Sequence, residues 1–199
     1  MTAFIIVLLL LAVGVGIMYN RLVRLRNQAE GAWADIDVQL KRRYDLIPNL
    51  VETVKGYASH EKDTLEAVIN ARNRAMSASG PAEQAQAENM LTGALKSLFA
   101  LAEAYPQLRA VEGFTKLQGS LETIERDIQN ARRYYNAVVR DLNTSVEQFP
   151  TNLVANAFRF HKAEYFELTE LERRQKDNQF GKFIKKTKKQ LRRYGHKDY

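Results

Sequence analysis

The residues of this chain that could do acid–base or metal chemistry are few. The densest acidic group on a predicted helix is Glu122, Glu125 and Asp127, and clustered carboxylates can act as general acids and bases or hold metal ions. A di-iron bundle site would need Glu-x-x-His pairs on inward faces, and the sequence contains none. Because Glu122 and Glu125 flank the apolar positions 121 and 124, we interpret the group as a solvated face beside a core.

Nucleophilic and thiolate chemistry has little support in the sequence. There is no cysteine, which excludes disulfides, thiolate metal sites and a lipid-modified cysteine. The histidines His60, His161 and His196 are far apart, and the aromatic surroundings of His161 favour a structural role. No HExxH, GxSxG, phosphate-binding loop or Rossmann fingerprint occurs. We therefore predict no enzymatic activity, no metal and no cofactor.

Positive charge is concentrated at the C-terminus. The net charge is +7, and residues 182–199 alone carry eight basic residues and one acid. Anionic lipid and a solvated tail without a ligand are equally favoured interpretations of this segment. Nucleic acid is the least favoured, because no nucleic-acid-binding motif accompanies the charge. The residues predicted to contact a polyanion are Lys182, Lys185, Lys186, Lys188, Lys189, Arg192, Arg193 and Lys197.

The first twenty residues carry no charged side chain. The apolar run from Ala3 to Tyr19 would span about 26 Å as a helix, near the lower limit for crossing a membrane. Arg21, Arg24 and Arg26 follow at once, with no Lys or Arg before them. An uncleaved anchor is therefore favoured over a cleaved signal peptide or a buried core helix. The positive-inside rule predicts a single-pass membrane protein with its N-terminus outside and its body in the cytoplasm.

Apolar residues recur at helical spacing through the rest of the chain. Ser59 is predicted to cap a second helix and Pro81 to begin a third. The last of the main helices carries a five-heptad apolar seam, typical of coiled-coil packing. The predicted main helices cover about residues 20–58, 60–79, 81–105 and 114–149.

The predicted fold class is all-α, a transmembrane helix that continues into an antiparallel bundle of four main helices. Two of these helices are about 40 residues long, so the shorter pair would pack only on the half far from the membrane. The near half would expose apolar positions such as Val139 and Leu142, covered by residues 150–180, another copy or a partner. The predicted organisation is an anchor at 1–20, the bundle at 21–149, a short helix with an aromatic capping segment at 150–180, and a basic tail at 181–199.

An aromatic cluster follows the last long helix. Its spacing is not helical, and a cap folded over the bundle is the favoured interpretation. A patch that docks a partner protein is the alternative. The residues concerned are Phe158, Phe160, Tyr165 and Phe166.

The first long helix contains an internal proline, Pro48. A proline removes one helical hydrogen bond, and its ring clashes with the carbonyl four residues earlier, here that of Tyr44. We therefore predict a kink or a local break near Tyr44. Asp37 and Lys41 lie four residues apart, and they could form a weak surface pair.

Two long stretches of the chain carry distinctive motifs. They include Trp33, Asp37, the RYDLIPNLV run at 43–51, Arg132, Arg133, Tyr135, Asn136, Asn143 and the FPTNLVA run at 149–155. In these residues the sequence resembles the LemA family, over about residues 1–166. The resemblance implies a single-pass protein of the bacterial inner membrane with a long-helix bundle, and it brings no established activity or catalytic residues. The basic extension after about Phe180 departs from the family pattern.

The sequence therefore predicts a non-enzymatic membrane protein that acts as a tethered helical-bundle scaffold. Its predicted partners are the bilayer, unidentified membrane or cytoplasmic proteins, and a second copy of the chain. The alternative is a peripheral regulator whose basic tail binds anionic lipid or nucleic acid.

Overall fold

A computed structural model describes residues 1–166. These residues form helices and connecting turns and contain no strand, so the all-α prediction is confirmed. The helices are α1 (Thr2–Lys55), α2 (Lys62–Ser77), α3 (Pro81–Glu103), α4 (Pro106–Arg109), α5 (Glu112–Glu147) and α6 (Thr151–Ala157).

The longest helices, α1 and α5, pack along each other and form the main axis of the fold. The ring of Trp33 lies 5.4 Å from that of Tyr135, whereas Arg43, further along α1, pairs with Glu125, earlier on α5. The two helices are therefore antiparallel. Helix α1 has 54 residues and α5 has 36, so the expectation of two long helices is confirmed.

The shorter helices α2 and α3 form a second antiparallel hairpin. At one end the hydroxyl of Tyr105 lies 3.2 Å from the carboxylate of Glu61. At the turn, Gly80 adopts a φ of 79°, a left-handed conformation that glycine tolerates. Pro81 then occupies the first turn of α3 as predicted, because its missing N–H has no helical partner there.

The start of α2 differs from the prediction. Ser59 does not cap the helix; the N-cap is Glu61, and α2 has only 16 residues. The main-chain N–H of Glu61 donates to the carbonyl of Ala58 at 3.1 Å. Ser59 therefore belongs to a turn, and that turn buries Ala58 against the core.

Helix α1 runs without a break through Pro48 to Lys55, so the local break predicted at this proline is wrong. Pro48 has no N–H to offer the carbonyl of Tyr44. Instead, the Nε of Arg72 on α2 donates a hydrogen bond of 2.8 Å to that carbonyl. The acceptor freed by the proline is thus satisfied from a neighbouring helix.

In the near half, beside the candidate span, α6 and the residues that follow it cover the two long helices. Helix α6 packs on both α1 and α5, and Val154, Ala155 and Phe160 form a buried cluster with Leu22. The exposed seam predicted here is wrong, because Val139 and Leu142 are only 0% and 3% exposed. Three alternatives were predicted to cover this surface: residues 150–180, another copy or a partner. The structure shows the first, through the part of that segment that it describes.

The N-terminal part of α1 is long and apolar enough to cross a membrane. Its large side chains from Phe4 to Ile17 are exposed. Residues 1–166 contain no other helix that meets the same criteria. The described part of the chain therefore carries one candidate membrane span, and this span continues directly into the bundle.

Candidate functional site

A charged cluster lies inside the bundle between α1, α3 and α5. The guanidinium of Arg43 is 1% exposed. Its Nη1 lies 3.2 Å from Oε2 of Glu88 and 2.8 Å from Oε1 of Glu125. Its Nη2 donates to the hydroxyl of Thr92 at 3.0 Å. One cation thus joins three helices.

A tyrosine extends this cluster. The hydroxyl of Tyr44 donates to Oε1 of Glu88, and Nε2 of Gln84 lies 2.9 Å from both oxygens. Gln84 also donates to the carbonyl of Ala75 at 3.1 Å. Burial, and then the hydrogen bond to the Glu88 carboxylate, raise the pKa of Tyr44. The phenol therefore stays protonated and remains a donor.

The cluster holds two carboxylates against one guanidinium. Two of its charged groups, on Arg43 and Glu88, are almost fully buried, where losing a partner is costly. The prediction for Glu125 needs correction, because its carboxylate is the nearest anion to Arg43 and not part of a solvated face. Glu122 is solvated as expected and accepts a hydrogen bond from Gln118 at 3.2 Å.

Two asparagines of α5 hold the segment that follows α6. Asn143 donates to the carbonyl of Ala163 at 3.0 Å and accepts from its N–H at 2.8 Å. Asn136 makes the same pair with Phe166, both at 2.9 Å. Seven helical residues rise about 10.5 Å and three extended residues about 10 Å, so the two spacings match. Each amide therefore binds the segment's backbone as a neighbouring strand would.

The four aromatic residues of the predicted cap have different surroundings. Phe166 is fully buried in the main core, and Phe160 is 8% exposed. Neither ring is available to a partner, so the predicted docking patch is reduced to Phe158 and Tyr165, which are exposed. Phe158 contacts Tyr19 of α1, with 4.8 Å between ring centroids. Phe160 and Phe166 therefore pack over the bundle as the predicted cap.

His161 lies on the wall of a cleft of about 490 Å³. The cleft opens between the capping segment, α1 and α5, and Trp33 of α1 and Tyr135 of α5 also line it. Residues 1–166 contain no group of three or more His, Cys, Asp or Glu side chains placed to hold a metal ion. The cleft therefore presents a single imidazole among aromatic and cationic side chains and one carboxylate, that of Glu30.

A second cleft of about 710 Å³ runs between α1 and α5 in the far half. Leu46 and Ile124 provide its apolar part. We call this cleft the outer groove. Its polar and charged lining residues are Arg42, Asp45, Thr115, Lys116, Ser120, Thr123 and Asp127.

Other predicted surface features have different outcomes. The weak pair between Asp37 and Lys41 does not occur among the ion pairs of residues 1–166. Burial raises the pKa of the Asp37 carboxyl. The basic tail, with every residue predicted to contact a polyanion, lies outside the described residues, and its binding stays a prediction.

These features define a class of protein, a helical bundle built on one long helix whose N-terminal part is a candidate membrane span. The sequence model of the LemA family matches residues 32–180, well over half of the chain. The chain belongs to the LemA family.

Curated relatives agree with this assignment. Protein LemA of Metamycoplasma hominis is 26% identical over 158 residues, covering 77% of this chain and 71% of that protein. Magnetosome protein MamQ 2 of Paramagnetospirillum magneticum is 25% identical over 175 residues, covering 75% of this chain and 64% of that protein. Magnetosome protein MamQ of Magnetospirillum gryphiswaldense is 24% identical over 174 residues, with 74% and 64% covered. The chain thus spans less than two thirds of the MamQ proteins.

Proposed function

We propose that this protein is a non-enzymatic, membrane-tethered scaffold that binds partner proteins on the surface of its helical bundle. The observation that carries the proposal is the continuity of α1. The same helix forms the candidate span and then the longest wall of the bundle, with no loop between them. A protein bound to the bundle would therefore be held at a defined distance from the bilayer.

The state of the charged cluster supports a non-enzymatic role. Catalytic groups must reach a substrate, usually in a cleft with convergent polar side chains. Here Arg43 and Glu88 are buried and paired with each other, and Tyr44 is bonded to Glu88. The richest charged constellation in residues 1–166 therefore serves to join helices.

The outer groove is the partner surface that we favour. It has an apolar floor and a rim of both charges, a composition suited to protein recognition. Val38 and Tyr134 lie seven residues from Asp45 and Asp127, so they extend the same faces of α1 and α5. Both side chains are exposed, at 54% each. The groove and these two residues would form one continuous docking surface, for another protein or for a second copy.

We further propose that the bundle lies in the cytoplasm of a bacterium, attached to its inner membrane. The three arginines that follow the span support this orientation through the positive-inside rule. Because the chain lacks cysteine, a Ser59→Cys variant can be labelled in intact cells with a membrane-impermeant maleimide. Labelling only after the cells are opened would support a cytoplasmic bundle. Labelling of intact cells would reverse the orientation.

Site-specific photo-crosslinking tests the scaffold role. A benzophenone amino acid placed at Val38 should give discrete crosslinked products in cells. A second change in the same chain, Tyr134→Asp, should abolish these products, because it places a charge on the apolar part of the docking surface. The same crosslinker at Met90 is the control, because Met90 is exposed on α3 and lies outside the outer groove. Identical products from Val38 and Met90, or none from Val38, would contradict docking in the groove.

A further inference from the structure

An exposed apolar surface lies at the end of the bundle nearest the candidate span. It consists of Phe149, Leu153 and Phe158, which are 74%, 60% and 53% exposed. We call these three residues the interfacial patch. Their neighbours Val154 and Ala155 are buried, so one face of α6 packs on the protein while the three side chains of the patch stay more than half exposed.

The level of this patch along α1 is fixed by contacts. The ring of Phe158 lies 4.8 Å from that of Tyr19, the last residue of the apolar run. The buried side of α6 packs with Leu22, Met18 and Val23. Helix α6 therefore sits beside the place where α1 leaves the hydrocarbon, and the patch lies at the same depth.

The charges around the patch suit a lipid surface. Arg21 and Arg24 are exposed on α1 within two turns of Tyr19, and Arg159 is exposed next to Phe158. Arg159 adopts a left-handed φ of 57°, and the N–H of Phe160 donates to the carbonyl of Ala155 at 2.9 Å. This arrangement closes α6 and ties Phe160 to it. Exposed aromatic and aliphatic side chains flanked by arginines are typical of segments in the membrane interface.

We propose that the interfacial patch inserts into the headgroup region of the leaflet from which α1 emerges. Helix α6 then makes a second contact with the bilayer, lying on it where α1 spans it. The occupant of the patch is the lipid interface, because a continuous path of contacts runs from the span to the patch. The inference rests on the proposed membrane tether and adds a surface that the tether alone does not require. With these two contacts, the long axis of the bundle keeps a fixed tilt relative to the plane of the bilayer.

Depth-dependent fluorescence quenching tests this inference on the full chain. A single cysteine replaces Leu153, carries a bimane label and is reconstituted in vesicles of phosphatidylcholine and phosphatidylglycerol with brominated acyl chains. Ile17→Cys in the span is the positive control. Met90→Cys is the matched negative control, since Met90 is also an exposed apolar residue but lies on α3. All three positions are exposed, so labelling should leave the bundle intact, and circular dichroism checks this.

We expect quenching at position 153 to be several-fold above that at position 90, and strongest for bromines near the headgroups. Quenching at 17 but not at 153 would overturn the interfacial patch and leave the tether standing. No quenching at 17 would overturn the tether itself. A blue-shifted label at 153 that lipid bromines do not quench would mean that protein, such as a second copy, covers the patch, and would also overturn the inference.

Discussion

The two halves of the bundle fill the space beside the same pair of long helices in different ways. In the far half, a helical hairpin packs against α1 and α5, and the buried charges of Arg43 and Glu88 join the layers. In the near half, an extended segment takes the place of the hairpin and is held by the amides of Asn136 and Asn143. The far half depends on paired charges, and the near half on neutral hydrogen bonds and aromatic packing. The comparison teaches that one pair of long helices can pack against either a helical hairpin or an extended segment. The polar residues that the pair presents must form hydrogen bonds or ion pairs with that neighbour.

The largest effect should follow removal of the central cation. Arg43→Met would leave the carboxylates of Glu88 and Glu125 without their shared partner, and we expect a loss of about 3–5 kcal/mol in the free energy of unfolding. Urea denaturation of the full chain in detergent or nanodiscs would measure it. The control is Lys55→Met, which breaks an exposed pair with Glu52 and should cost about 0–1 kcal/mol. Equal losses in the free energy of unfolding for Arg43→Met and Lys55→Met would contradict the conclusion that the buried charges of the far half stabilise it more than exposed ion pairs do.

A smaller and local effect should follow loss of one amide in the near half. Asn143→Ala leaves the N–H and carbonyl of Ala163 without their partners, at a cost of about 1–3 kcal/mol. Hydrogen exchange should accelerate at Ala163 and its neighbours and stay unchanged in α2 and α3. Asn130→Ala, at an exposed position on the same helix, is the control. Exchange that accelerates equally in both halves would mean that the halves do not open separately.

The far half should also be sensitive to alkali. Because the pKa of Tyr44 is raised in the folded protein, its contribution to stability is fully present below the unfolded pKa of about 10. That contribution is lost as pH rises above this value, since the unfolded chain ionises first. The pKa of Tyr135 in the near half is raised as well, mainly by burial.

Tyr44→Phe should therefore flatten the fall in stability above about pH 10. Thermal denaturation followed across the alkaline range would measure this slope in the variant and the parent. Tyr57→Phe, which changes an exposed tyrosine, is the control. An unchanged slope in Tyr44→Phe would show that the phenol of Tyr44 does not govern alkaline stability.

The smallest effect concerns the hydrogen bond that replaces the one lost at Pro48. Arg72→Met removes the donor to the carbonyl of Tyr44, and Pro48→Ala supplies that carbonyl with a helical N–H. We expect Arg72→Met to cost less in the Pro48→Ala background, with a coupling of about 0.5–1.5 kcal/mol. A double-mutant cycle in urea measures the coupling. Additive effects would show that Arg72 stabilises the fold by other contacts.

Periodicity predicts the helices well but not their polar contacts. Buried positions on α1 recur at 36, 40, 43, 47, 50 and 54, and the basic residue at 43 was the signal that a buried cation lies in this stripe. Glu88 gives the same signal on α3, where it precedes Leu91 and Leu95 at core spacing. Opposite charges at core positions of two helices could therefore have predicted the cluster.

Other features have no such signal. Asn136 and Asn143 belong to the stretch that resembles the LemA family, but their partners are main-chain atoms of Ala163 and Phe166. Main-chain atoms are the same in every residue, so no pattern of side chains points to them. The continuity of α1 through Pro48 has the same cause. The donor that satisfies the carbonyl of Tyr44 is Arg72, which is distant in sequence. Contacts that pair a side chain with distant backbone are set by the tertiary fold.

The unbroken course of α1 also fixes an angle. Each residue of a helix turns the chain by about 100° and advances it by about 1.5 Å. The outer groove therefore has a fixed orientation around the axis of α1 relative to each face of the span. One residue inserted near Gly16 would leave the bundle intact and rotate the part of α1 before the insertion by about 100° around the helix axis. A neighbour in the membrane and a protein in the groove would thus be held at a constant angle to each other around the axis of α1.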